Sequence, residues 1–149
     1  MKKFLIALII IIPGIIPVLA SDWVGWDGLL FDNDSISKYG NYPYNSQDVY
    51  SIWIQYEYEN LKYGKTITAK WQQLYPTMKT SKFQYLVNCD NKTIALKHVV
   101  HYDSELNSLD SMQYDDMKLD WQTIIPDSQG DMWYMLVCKA YKQSLKNKN

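Results

Sequence analysis

The chain has 149 residues and a formal net charge of −1, and it contains no arginine. This length is enough for one domain with a genuine core and too short for two. Arginine supplies the planar fork with which proteins usually grip phosphates and base edges. The mildly acidic, arginine-free composition therefore argues against a nucleic-acid partner.

The first 20 residues predict a secretory signal peptide. A basic head at Lys2 and Lys3 precedes an apolar run that ends in the small-residue stretch Val18-Leu19-Ala20. Prolines and a glycine at positions 13, 14 and 17 break the run well short of the roughly 20 residues that a spanning helix needs. We expect cleavage after Ala20 and no transmembrane segment in the mature chain.

Cleavage leaves 129 residues with 13 lysines and 16 acidic residues, a net charge of −3. We expect a single domain over residues 21–142 and a disordered tail over 143–149. No cysteine follows the expected cleavage site. The protein is therefore predicted to be exported to the periplasm, the cell surface or the medium without a lipid anchor.

The first half of the mature chain predicts antiparallel strands. Two short apolar pieces flank Gly28 and form a tight hairpin, and the polar residues 32–35 interrupt the pattern. A connection rich in Tyr, Asn, Pro and Gly covers 39–47. The clearest strand spans 49–59, where even-numbered Tyr and Ile residues share one face. Residues 64–76 fit a strand or a short helix equally well, and this choice stays open.

A second hairpin follows. Residues 82–89 and 93–102 both alternate, with a turn at Asp90-Asn91-Lys92 between them. The pattern places Ile94, Leu96, His98, Val100 and Tyr102 on one face of the return strand. Residues 103–116 are polar and predict a loop, and residues 117–122 predict a last edge strand.

The last segment predicts a helix that begins at Ser128 and extends to about Tyr141. The Ser128 hydroxyl can cap the amide of Asp131, whose carboxylate can reach back to the first turn. At 100° per residue, a broad apolar arc includes Trp133 and Val137, with Cys138 at its margin. Met132 and Met135 fall on the polar side, which makes a second copy of the chain a candidate partner.

Cys89 and Cys138 are the only cysteines, and in an exported chain they point to one disulfide. Closing a loop of about 50 residues is worth roughly 4 kcal/mol on the chain-entropy model. A pair of free buried thiols is the alternative. A thiol-redox role has little support because there is no Cys-x-x-Cys pair.

The order of these features resembles the surface-adhesin protein E-like domain family of bacteria. The resemblance rests on the export signal, the Trp23-Val24 opening, the aromatic strand, Tyr85-x-x-x-Cys89 with its return strand, and Trp121-x-x-Ile-x-Pro-x-Ser128 before a helix ending in Val-Cys138. It covers nearly the whole mature chain.

The resemblance implies an α+β fold, in which an antiparallel sheet of about six strands carries a C-terminal α-helix on one face. It also implies a surface or secreted location and adhesion to host extracellular-matrix or serum proteins. Two departures stand out. The family's adhesin proper is lipid-anchored, whereas this chain has no lipidation cysteine, and the position after Pro126, often glycine in the family, is Asp127.

The sequence contains no pattern typical of catalysis, and we expect no enzymatic activity, cofactor or metal. His98 and His101 are three apart on a predicted strand and should point to opposite faces, so they cannot share a metal. His101 and Asp103 share a face and are the best acid–base pair available. No nucleophile accompanies them. The scattered carboxylates of 103–120 lack the spacing of a calcium loop.

Aromatic content is the most unusual feature, with 13 Tyr and 6 Trp. Such residues fit pleated surfaces, and where exposed they also supply contact area at low entropy cost. We take Tyr39, Tyr42, Tyr44, Trp53 and Trp71 as the candidate protein-binding surface. A non-enzymatic binding module is the predicted function. The alternative is a periplasmic small-molecule-binding or envelope-associated factor, with weak hydrolase activity built around His101 and Asp103.

Overall fold

An antiparallel meander forms the body of the protein. The computed structural model describes residues 23–40, 43–44, 46–60, 71 and 73–141. The predicted signal peptide, the predicted tail and residues 64–70 of the ambiguous segment lie outside these residues. The strands are β1 (Trp23–Trp26), β2 (Leu29–Lys38), β3 (Val49–Glu57), β4 (Thr80–Asn88), β5 (Thr93–Tyr102), β6 (Ser108–Gln113) and β7 (Gln122–Thr123).

The strands β1 to β6 lie side by side in chain order, each antiparallel to the next, and β7 pairs with β5. This arrangement confirms the predicted α+β class with about six antiparallel strands. Because β4 occupies one edge of β5, both β6 and β7 lie along the other edge. Trp71, Gln73 and Leu74 have helical backbone, so the described end of the ambiguous segment is helical.

The first hairpin turns at Asp27 and Gly28, which both have positive φ angles of 52° and 78°. Asp-Gly is the usual pair for such a primed turn, and the predicted hairpin is confirmed. The break predicted after Asp32 is wrong, because β2 continues to Lys38 through an irregularity. At this irregularity the Ser35 hydroxyl takes the place of a backbone carbonyl, because it accepts a hydrogen bond from the Trp53 amide at 2.9 Å.

The second hairpin is confirmed as β4 and β5, but a bulge opposite Gln84 and Tyr85 shifts its register. Leu96 pairs with Tyr85 and His98 pairs with Gln84, so one extra residue, Lys97, stands between them. The predicted single line of side chains along β5 is therefore wrong. Before the bulge, Ile94 and Leu96 lie on the face that the C-terminal helix covers; after it, the even-numbered residues lie on the opposite face.

Residues 103–123 differ from the prediction. The segment predicted as a loop contains β6, an edge strand whose exposed positions carry polar side chains, as edge strands often do. The strand predicted over 117–122 is instead a 3₁₀ helix, Asp116–Lys118, and a connection that pairs only at β7. Polar content misled the prediction because one side of β6 faces solvent.

The C-terminal helix begins as predicted. Ser128 is the N-cap, and its hydroxyl accepts from the Asp131 amide at 3.2 Å. The Asp131 carboxylate accepts from the Asp127 amide, one residue earlier than a standard capping box would have it. Helix α1 spans Gln129–Tyr134 and continues as a π-helix over Met135–Tyr141. A π-helix turns less per residue, which keeps Trp133, Val137 and Tyr141 on one side.

That side packs on one face of the sheet, which we call the helix face. Ile52 and Ile54 of β3, Val87 of β4, and Trp133 and Val137 of the helix are almost fully buried in this core. Met132 also packs against the core rather than facing solvent as predicted, whereas Met135 is exposed. The dimer suggested by these two methionines stays a prediction.

The opposite face we call the open face, because in the half of it that holds Trp53 most side chains are only half-buried; in its other half, Ser51, Leu86 and Ala95 are buried. One row of residues crosses it strand by strand, and within that row only Asp32 is fully buried and only Gln113 is largely exposed. The row consists of Trp23, Asp32, Trp53, Gln84, His98 and Gln113. The helix therefore occupies one side of the sheet and leaves aromatic and polar side chains on the other.

The disulfide joins the sheet to the C-terminal helix that packs on it. Cys89 and Cys138 are bonded, with their Cα atoms 5.6 Å apart, and this confirms the predicted bridge. Cys89 directly follows β4, and its amide donates to the Asp48 carbonyl at 2.9 Å. The bridge thus ties the end of the β4 strand to the π-helical part of the C-terminal helix.

We expect Cys138→Ser to lower the free energy of unfolding by roughly 4 kcal/mol, because the unfolded chain regains the freedom of a 50-residue loop. Urea unfolding of the oxidised protein measures this. Wild-type protein treated with reductant should shift to the same midpoint, and the variant should not respond to reductant. An unchanged midpoint in the oxidised variant would contradict the proposed contribution of the bridge.

Asp127 has a φ angle of 60°, a conformation that costs an L-residue energy and costs glycine none. Its amide donates to Asp131, and a glycine would keep that bond. We expect Asp127→Gly to stabilise the protein by up to about 1 kcal/mol. Asp34→Gly, at a position without positive φ, is the matched control and should destabilise it. Thermal unfolding of both variants distinguishes the two effects.

Candidate functional site

Of the five residues predicted as a binding surface, the four that the structure describes lie in three places. Tyr42 lies outside the described residues. Tyr39, Tyr44, Trp53 and Trp71 are each half-buried. The two tyrosines belong to a polar cluster, Trp71 packs on the helix face, and Trp53 lies on the open face.

Tyr39 and Tyr44 converge on Asp116. The Tyr39 hydroxyl donates to both carboxylate oxygens of Asp116 at 2.7 and 2.9 Å, and the Tyr44 hydroxyl donates to its carbonyl at 2.8 Å. Trp121 donates its indole N–H to Tyr44 at 2.8 Å and meets its ring edge to face. These hydroxyls already hold the 3₁₀ helix in place.

Lys97, the extra residue of the β5 bulge, neutralises this cluster. Its ammonium lies 2.6 Å from the Asp116 carboxylate and donates to the Tyr114 carbonyl at 2.6 Å. Burial lowers the pKa of Lys97, but the hydrogen bond and charge of Asp116 outweigh burial, and its pKa lies above the usual value. The bulge therefore serves to bring a paired charge under the 3₁₀ helix.

Trp71 covers a buried histidine. Its ring and that of Tyr75 lie 4.9 and 5.2 Å from the imidazole of His101, which is fully buried. The Tyr75 hydroxyl donates a hydrogen bond to Asp110, the β6 residue that lies opposite His101 of β5. The buried part of the Trp71 ring thus covers one end of the core on the helix face.

The imidazole of His101 is only partly satisfied. Its Nδ1 shares a hydrogen bond with the Ser81 hydroxyl, and its Nε2 is buried without a partner among the described residues. The Ser81 hydroxyl also accepts from Tyr58 at 2.8 Å. Burial lowers the pKa of His101, and the nearby charge of Asp110 opposes this only in part. The ring is therefore neutral near pH 7.

The acid–base pair considered from the sequence does not form. Asp103 accepts hydrogen bonds from the amides of Glu105 and Asn107 and from the Asn107 side chain, all within 3.0 Å. These bonds shape an exposed loop and lower the pKa of Asp103. His101 bonds to Ser81 instead. Since Ser81 and His101 are both fully buried, a substrate has no path to either side chain.

Trp53 lies on the open face beside His98. The two rings meet edge to face at 5.4 Å, and His98 is held by the Ser111 hydroxyl at 2.9 Å. His98 and His101 point to opposite faces, as predicted. His101 is buried and His98 is half-buried. Within the described part of the chain, no three His, Cys, Asp or Glu side chains are placed to hold a metal ion.

A lysine between two aromatic rings extends the open face beyond Trp53. The Lys82 ammonium lies 5.0 Å from the Trp23 ring centroid and 5.6 Å from that of Tyr102. All three side chains are half-buried. Sequence reasoning missed this group, because its members come from β1, β4 and β5 and meet only through the register of the sheet.

The stability of the protein should depend on pH through His101. Because its pKa is lowered in the folded state, the unfolded chain takes up a proton near pH 6.5 that the native chain refuses. The free energy of unfolding should fall as pH drops from 7 to 5.5, by up to about 1.4 kcal/mol per pH unit. Urea unfolding at each pH measures this.

His98→Gln is the matched control and should keep the full pH dependence, whereas His101→Gln should remove it. If His101→Gln does not fold, His101→Phe replaces it, since the ring fills the same aromatic surroundings without a titrating nitrogen. Equal slopes in wild type and the folded His101 variant would contradict this assignment. Asp110, whose pKa is lowered, titrates below this pH window.

Comparison with known proteins agrees with this fold. The structure of Haemophilus influenzae protein E in its crystal form II matches with a TM-score of 0.54 at 14% sequence identity, covering 83% of this chain and 92% of that chain. No curated protein sequence matches. Of the helices in the described residues, none has the length and apolar character to cross a membrane. A family model described as surface-adhesin protein E matches residues 25–139. The chain therefore belongs to the surface-adhesin protein E family.

Proposed function

We propose that this protein is an exported, non-enzymatic adhesin-like module that binds a protein ligand through the open face of its sheet. Family membership supports the adhesin class. The open face supports the location of the binding surface, because it is the side of the sheet that the C-terminal helix leaves uncovered. We further propose that the chain acts at the cell surface or in the medium.

The group formed by Trp23, Lys82 and Tyr102, with Trp53 nearby on the same face, carries this proposal. Trp and Tyr rings fixed on strands offer contact area with little loss of side-chain entropy on binding. Because these side chains are already half-buried, a partner would need to cover only their remaining exposed surface.

The chemistry of this group favours a ligand that presents carboxylates beside apolar side chains. The Lys82 ammonium has aromatic contacts but no carboxylate partner among the described residues. A carboxylate of the ligand would pair with it at the rim, and the rings would take apolar contacts at the centre. Extracellular-matrix and serum proteins provide such surfaces, and we propose them as the ligand class.

The hydrolase alternative lacks support from the geometry. Its general base would be His101, which is sealed between aromatic rings, and Asp103 is held by its own loop. Tyr39 and Tyr44 contribute less to the proposed surface than the sequence suggested, because their hydroxyls are committed to Asp116. Of the four described residues among the original five, Trp53 lies nearest the centre of the open face.

Binding to immobilised matrix and serum proteins tests the proposal. We expect Trp53→Ala to weaken binding by roughly tenfold or more, the size of a typical hot-spot loss. Tyr114→Ala is the matched control, since Tyr114 is 41% exposed but belongs to the connection after β6, outside the open face. Both variants should remain folded and unfold cooperatively, although Trp53→Ala loses the ring contact with His98 and should melt at a lower temperature. Equal binding by wild type and Trp53→Ala would argue against the open face.

A further inference from the structure

A cleft of about 450 Å³ opens beside β5 on the helix face. It lies where the chain leaves β6 and returns as β7, so that residues 95–97 have no strand neighbour on that edge among the described residues. The floor is apolar and the walls are polar; the lining residues are Tyr85, Ile94 and Leu96 below and Tyr114, Lys118, Asp120 and Gln122 around. This volume falls within the range typical of small-molecule sites.

The walls of the cleft are held at both ends and in the middle. The Tyr114 amide donates to the Lys97 carbonyl at 2.9 Å, and Gln122 pairs with Ile94. Between these points, Asp116 is fixed by its ion pair with Lys97. The cleft is therefore formed before any ligand arrives, which reduces the entropy cost of binding.

Three polar side chains that line this cleft are available to a ligand. Among the described residues, the Lys118 ammonium has no carboxylate and the Tyr85 hydroxyl has no hydrogen bond. The Asp120 carboxylate has only the Gln122 amide, at 3.3 Å. Burial raises the pKa of Tyr85 to about 12, so this hydroxyl stays protonated and can donate.

We propose that the cleft binds a short apolar peptide with free ends, of about two residues. The carboxylate end would pair with Lys118 and the ammonium end with Asp120, while Tyr85 donates to a peptide carbonyl. The apolar side chains would cover Ile94 and Leu96. A positive group, a negative group and a donor around an apolar floor match these features of such a peptide.

The site is distinct from the proposed adhesion surface. Tyr85 and Leu96 lie on the helix face, whereas Trp53 lies on the open face of the same sheet. The two activities can therefore be lost separately. Binding of the peptide without binding of a matrix protein would support this inference and contradict the adhesin proposal. Binding of a matrix protein without binding of the peptide would do the opposite.

Isothermal titration of the purified protein with dileucine tests the inference. N-acetyl-dileucine amide, which has the same side chains without charged ends, is the matched ligand. We expect dileucine to bind at least tenfold more tightly than the blocked peptide, since each charge-assisted hydrogen bond is worth about a factor of ten. No heat from dileucine at millimolar concentration, or equal affinity for both peptides, would overturn the inference.

Variants locate the site. Lys118→Met and Asp120→Asn should each weaken dileucine binding about tenfold. Lys139→Met and Asp34→Asn remove exposed charges elsewhere and should bind as wild type does, as should Trp53→Ala. All five positions are at the surface or half-buried, and cooperative thermal unfolding would show that each variant folds. Wild-type affinity in both Lys118→Met and Asp120→Asn would overturn the assignment.

Discussion

The packing of the C-terminal helix on β3 and β4, fastened by Cys89–Cys138, determines how the two faces of the sheet are used. Trp133 and Val137 fill the centre of the helix face, so that side of the sheet is committed to stability. The chain has no second long helix among its described elements to cover the other side. The helix thus leaves the aromatic residues around Trp53 on the other face, where the proposed binding surface lies.

Local chemistry made several features predictable. The Asp27-Gly28 turn, the β4–β5 hairpin and the Ser128 cap each depend on residues within a few positions of one another. The disulfide was predictable for a different reason, because an exported chain with two cysteines leaves little choice of pairing. Family resemblance then supplied the number of strands and the packing of the C-terminal helix on one face of the sheet.

Features that depend on distant residues could not be read from the sequence. The bulge at Lys97 is stabilised by Asp116 and Tyr114, which follow it in the chain by more than 15 residues. Without the bulge, His98 and Leu96 would share a face, and the open-face row would be different. The π-helix after Tyr134 and the polar edge strand β6 have the same origin, since tertiary packing overrides their local patterns.

The aromatic residues show why a binding surface needs the register and not only the composition. Tyr39 and Trp53 are equally half-buried, yet the hydroxyl of Tyr39 holds a structural carboxylate while Trp53 stands in a row that crosses every strand from β1 to β6. Lys82 was unremarkable in the sequence and becomes prominent because Trp23 and Tyr102 flank it. Each one-residue change in register would move such a residue to the helix face. The sheet that the helix and disulfide hold in place thus determines which of the many aromatic residues belong to the proposed binding surface.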